Sequence, residues 1–193
     1  MTQNAQNVTY GKPKVEGAIW TAPLGTKLPV DAVEKLDTAF KSLGYVSEDG
    51  LKNENTIESE AIKAWGGDTV LVIQNEKTDT FTYKLIELLN VDVLKEVYGE
   101  DNVTGTLETG ITIKANAKEL PEHVIVIDML LKGALKRIVI PNAKVSEIAE
   151  IEYVDEDAAG FELTITAIPD AEGNSHTSYI QKAGTTVEDE QGA

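Results

Sequence analysis

The chain has 193 residues, 41% of them hydrophobic and 26% charged, a composition that supports a packed core and excludes the depleted make-up of a disordered chain. Its 17 basic and 33 acidic residues give a formal charge of −16 at pH 7, which argues against affinity for nucleic acid gained by neutralising phosphates. There is no cysteine, so neither a disulfide framework nor a thiolate metal site is available.

Residues 1–16 are rich in Asn, Gln and Thr, with Gly11 and Pro13, and predict an extended N-terminal arm. They lack the basic and apolar regions of a secretory signal, and no apolar run reaches the ~18 residues of a membrane span. The expectation is therefore a protein made and kept in the cytoplasm, with no membrane partner. Residues 17–182 follow as one β-domain. Gly17-Ala-Ile-Trp-Thr-Ala22 is a short β-prone run closed by Pro23 and Gly25.

From Asp31, an N-cap candidate, Val33, Leu36, Phe40 and Leu43 recur at spacings of three and four before Gly44, which predicts an amphipathic helix. The next stretch, Val46 to Ile62, is polar and weakly patterned; it reads as a candidate interaction loop. A second short helix is predicted between Asn90 and Gly99, where Val91, Leu94, Val97 and Tyr98 share a face and Asp92 sits in the first turn.

Most of the remainder alternates with period two: Thr69–Gln74, Thr80–Leu85, Ile111–Ala115, Val124–Met129, Arg137–Ile140 and Phe161–Ile168. In the last, Phe161, Leu163, Ile165 and Ala167 face one way. Turn signals fall at Trp65-Gly66-Gly67-Asp68, Asn75–Asp79, Gly99–Gly105, Gly133, Pro141-Asn142, Asp155–Gly160 and Asp170–Asn174. Many strands on short connections predict a mainly β fold, an antiparallel β-sandwich or partial barrel with one or two short α-helices. Residues 183–193 form an acidic C-terminal tail; from residue 144 onward, twelve acidic residues face only Lys144 and Lys182.

The motifs that carry chemistry are missing. No GxxxxGK[ST] loop occurs, and Gly66-Gly67 is followed by Asp68, which would repel a phosphate. His123 and His176 sit in or beside predicted strands, away from any nucleophile elbow, and read as surface or strand-edge residues rather than catalytic bases. Asp155, Asp157 and Gly160 match three positions of a calcium loop, but Ala159 and Thr166 stand where further ligands are required. That segment reads as a solvated acidic turn. Trp20 and Trp65 read as core or interface residues. No catalytic residue, cofactor site or metal site is expected.

Three stretches together resemble the major tail (tail tube) proteins of long-tailed, siphovirus-type bacteriophages: Gly17-Ala-Ile-Trp-Thr-Ala-Pro-Leu-Gly-Thr26, Phe40-Lys-Ser-Leu-Gly-Tyr-Val-Ser-Glu-Asp-Gly-Leu51, and Ile62–Tyr98 with its Lys63-Ala-Trp-Gly-Gly-Asp68 turn. Ile138-Val-Ile-Pro141 and Phe161-Glu-Leu-Thr-Ile-Thr166 extend the likeness to roughly residues 17–181. The resemblance implies a structural virion protein, not an enzyme. It implies subunits that close into hexameric rings with a shared inner β-barrel and stack into the conduit for genome DNA. The implied partners are further copies of the chain, a tape-measure protein and the tail terminator and distal tail proteins, with DNA passing through the lumen without specific binding. The implied location is the virion tail, after assembly in the host cytoplasm. Two other functions fit the same composition: a β-sandwich module binding carbohydrate or protein, and an acidic DNA mimic.

Overall fold

The computed structural model describes residues 3–156 and 158–183. The strands, in chain order, are β1 (Lys12–Pro13), β2 (Ile19–Pro23), β3 (Lys41–Ser42), β4 (Val46–Lys63), β5 (Thr69–Leu85), β6 (Val103–Thr104), β7 (Thr112–Ile113), β8 (His123–Leu131), β9 (Ala134–Ile148), β10 (Phe161–Ala167) and β11 (Thr177–Lys182). One α-helix, α1 (Val91–Tyr98), lies between β5 and β6. The fold is mainly β with antiparallel pairing throughout, as the alternating runs predicted.

The main sheet has the order β3-β2-β8-β9-β10-β5-β4, while β6 and β7 form a separate pair. Two of its positions are filled by broken strands. β1 and β2 both run antiparallel to β8, with Lys12 opposite Leu130 and Ile19 opposite Ile127. In the same way β10 and β11 share β9, with Ala167 opposite Ala143 and Thr177 opposite Val139. The path is open at β3 and β4, so among the described residues the sheet does not close into a barrel.

β8 and β9 form the central hairpin, turning at Gly133 with φ 74°. Residues 124–128 of β8 are buried on both faces. Ile125 and Ile127 join the larger core with Phe81, Leu85, Phe161, Leu163 and Ile165, and α1 lays Val93, Leu94 and Val97 onto it. Val124 and Val126 point the other way, into a smaller cluster with Ala22, Phe40 and Val139. The predicted alternation in β10 is the one observed, its odd-numbered residues from Phe161 to Ala167 being buried.

The helix at 90–99 forms as predicted. Asn90 caps it by accepting from the Asp92 N–H at 3.0 Å. The helix predicted from Asp31 does not form; residues 31–40 run as bends and a turn. Its start signal is present, since Asp31 Oδ1 accepts from the Val33 and Glu34 N–H groups and Glu34 Oε2 accepts from Val30 N–H. What prevents propagation is Arg137, whose Nη1 donates to the carbonyls of Asp31 (3.1 Å) and Glu34 (2.7 Å). Those are acceptors that a continuing helix would use internally. Leu28, Leu36 and Phe40 still cover the second core, so the apolar spacing is used without helical geometry.

Three further expectations are corrected. The Val46–Ile62 loop is strand β4, paired along β5. The turn expected at Asn75–Asp79 lies inside the continuous strand β5. Pro141-Asn142 is not a turn but the point in β9 where the neighbour changes from β11 to β10, opposite a register shift in β8 between His123 and Ile125. A proline that cannot donate to a ladder is tolerated at such an irregularity. Residues 184–193 of the acidic tail lie outside the described residues, as does Asp157 of the acidic turn.

Candidate assembly interface

β5 belongs to the sheet only through residues 80–85, which pair with β10. Beyond Thr80 it runs on with β4 alone as a two-stranded arm, Asn55 opposite Asp79 and Lys63 opposite Thr69. At about 3.3 Å per residue this projects the tip ~30 Å from the sheet. The arm turns through Ala64–Asp68, closed by Ala64 N–H to Asp68 O at 2.8 Å and Gly67 N–H to Ala64 O at 3.0 Å. Gly66 (φ 113°) and Gly67 (φ 99°) supply backbone conformations that other residues rarely adopt.

Both faces of the arm meet solvent. Ile62 lies opposite Leu71, with Ile73 on the same face, while Val72 lies opposite Ala61 on the other. Ile57, Ile62, Val70, Leu71, Val72 and Ile73 are all exposed, and Trp65 at the tip is fully so, at 107%. An isolated two-stranded ribbon is marginal in water, and a cluster of exposed apolar side chains of this extent marks an interaction surface. Register shifts at Glu58/Ser59 and Ile62/Lys63 leave Asn75 and Val70 without an opposite residue, the kind of bulge that twists a ribbon and discourages indiscriminate edge pairing.

The root of the arm is pinned by Asp79, which is 3% exposed. Its carboxylate accepts from Asn53 Nδ2 (2.8 Å) on β4 and Ser175 Oγ (2.6 Å), and meets His176 Nδ1 at 2.5 Å. Burial acts to raise the Asp79 pKa, but these hydrogen bonds and the His176 charge outweigh it and hold the group below its ordinary value. His176 also packs edge-on against Phe81, with ring centroids 5.3 Å apart. The segment between β10 and β11 is thus tied to the arm's base. His176 is a structural partner of this node, a role that its position beside a strand did not reveal.

The other histidine also departs from expectation. His123 opens β8, but its side chain is largely buried, with Nε2 2.7 Å from Glu96 Oε1 of α1. With the imidazole protonated the two atoms form an ion pair, though without the alignment of a hydrogen bond. The pair borders a cavity of about 340 Å³ between the end of β2, the start of β3, α1 and residues 120–123. Trp20 is half-buried against the second core and donates from Nε1 to Gly17 O at 3.3 Å; Trp65 is the exposed one of the two. Asp155 lies on an exposed segment. Among the described residues no three His, Asp or Glu side chains cluster as metal ligands, and no helix is long and apolar enough to cross a membrane.

The profile of a protein family described as phage tail tube protein matches residues 1–190. The chain belongs to the phage tail tube protein family. No curated protein matches it. Membership identifies a structural protein of the virion tail that assembles with itself into a tube and associates with other tail proteins. Among the described residues, the surfaces left open in the single chain include the arm and the sheet edges at β3, β4 and β11.

Proposed function

We propose that the chain polymerises as stacked hexameric rings into the tail tube of a siphovirus-type phage, the conduit for genome DNA. The observation that carries this reading, beyond family membership, is the projecting arm whose apolar faces are left uncovered by its own chain. Heterologous contacts of this kind, a projecting element on one copy against a different surface on the next, close into rings or extend into filaments. The edges of the open sheet offer pairing within a ring, where neighbouring sheets would join into an inner barrel. The other proposed partners are a tape-measure protein inside the tube and terminator and distal tail proteins at its ends. The proposed division is an N-terminal arm (1–16), laid along β8 through β1, the tube domain (17–182) and the acidic tail (183–193).

The net charge of −16 supports passage of DNA through the lumen without binding, since carboxylates lining a channel repel phosphates. A tube reconstruction with a neutral or basic lumen would overturn that part of the proposal. The assembly itself is tested by negative-stain microscopy and size measurement of the purified protein across concentrations. The wild-type chain should give tubes or rings. A variant in which residues 56–78 are replaced by Asn-Gly, a favoured two-residue hairpin turn, should be a folded monomer. Unchanged tubes from that variant would exclude the arm as the stacking element.

A further inference from the structure

Resting on the self-assembly reading, we infer that Trp65 at the arm tip is the anchor of the contact and that its receptor is the cavity beside α1 on a second copy of the chain. The two features are matched in size and chemistry. The cavity, about 340 Å³, falls within the range of about 300–1,000 Å³ typical of sites that enclose small organic groups. Its walls combine Ala22, Pro23, Leu24 and Ala39, an apolar surface for an indole, with Lys41, Lys95 and the carboxylates of Asp92, Glu100 and Glu122; Lys95 lies 3.7 Å from Glu100, and the Lys41 ammonium is a natural partner of a tryptophan face. On its floor the His123–Glu96 pair has facing atoms without hydrogen-bond partners; excluding water with an apolar plug strengthens the attraction between such charges.

Trp65 is suited to the other side of this contact. It is fully exposed, so it does not occupy the cavity of its own chain. The closed Ala64–Asp68 turn holds it at the end of the arm, so little conformational freedom is lost on docking. Tryptophan is among the residues enriched at interface hot spots, and truncating a hot spot weakens binding ~30-fold or more.

The absence of cysteine in the natural chain permits a direct test. One preparation carries Ala64→Cys, beside an intact Trp65 in the arm-tip turn, and a second Leu24→Cys, both at exposed positions. The two are mixed, allowed to assemble and treated with diamide, which oxidises two adjacent thiols to a disulfide. The expected result is a cross-linked dimer joining the two variants on a non-reducing gel, with none from either variant alone. In parallel, Trp65→Ala should raise the concentration needed for assembly ~30-fold or more. Polymers that form without the mixed cross-link, together with Trp65→Ala assembling at the wild-type concentration, would overturn the docking while leaving the tube reading intact. A wild-type chain that never polymerises would overturn both.

Discussion

Arg137 and Asp128 face each other directly across the β8–β9 hairpin, and both are nearly inaccessible, at 2% and 4%. The carboxylate accepts from Nε at 2.6 Å and Nη2 at 2.8 Å, while Nη1 holds the Asp31 and Glu34 carbonyls. All three guanidinium nitrogens therefore donate, and removing them strands a buried charge. Arg137→Met should destabilise the fold by about 3–5 kcal/mol, and adding Asp128→Leu should recover most of the loss, because two apolar groups leave no unpaired charge; urea denaturation of the three variants measures both. His123 gives a pH signature instead. Burial pulls its pKa down, but the Glu96 carboxylate and the Pro121 carbonyl outweigh this and hold it above 6.5. A raised folded pKa means that the pair stabilises fully below the unfolded value near 6.5 and that the contribution disappears as pH rises through the folded value. His123→Gln should remove that dependence from a series of melting curves recorded from pH 5 to 9. Neither role is legible in the sequence, where Arg137 reads as one residue of an alternating strand and His123 as a strand-edge residue. Their meaning comes from groups brought from α1 and from residues 31–34.

At the scale of elements, strands with one buried face are the ones that the sequence shows best. Phe161, Leu163, Ile165 and Ala167 alternate because a single core lies on one side of β10. α1 was equally visible, with a cap, a stop and an apolar face in eight residues. The arm was visible only in part: its Trp65–Asp68 turn and the Thr69–Gln74 run of β5 were expected, but β4 buries neither face in the chain itself, carries no period-two pattern and passes for a polar loop. The Asp79 node fixes the arm's base and makes an element-level prediction. A carboxylate held below its ordinary pKa contributes stability above the unfolded value near 4, and the contribution is lost as pH falls through the folded value. Asp79→Ala should remove this acid sensitivity, deprive Ser175 of its acceptor and Asn53 of one of its two, and speed amide exchange at residues 53–56 of the arm base relative to α1. The cost should be about 1.5–3 kcal/mol, the usual worth of hydrogen bonds to a charged acceptor.

For the whole molecule, the formal charge of −16 means that copies repel one another before their surfaces meet. Screening shortens that repulsion, to about 10 Å at 0.1 M salt and 3 Å at 1 M. Assembly followed by light scattering should therefore start at a lower protein concentration as salt is raised from 0.05 to 0.5 M; the opposite trend would indicate that complementary charge pairs dominate the contacts. Composition and alternation were enough to determine a strand-rich, acidic protein without cysteine, because those properties are local and each strand against the core records its own burial. Only the tertiary structure decided that residues 31–40 are not helical, that residues 46–63 and 69–85 build a projecting ribbon, and that Trp65 stands at its end. The first outcome depends on a partner far away in the chain, the Arg137 guanidinium; the others depend on cross-strand pairing about the Gly66-Gly67 turn, which leaves no periodic mark on a strand such as β4 that buries neither face.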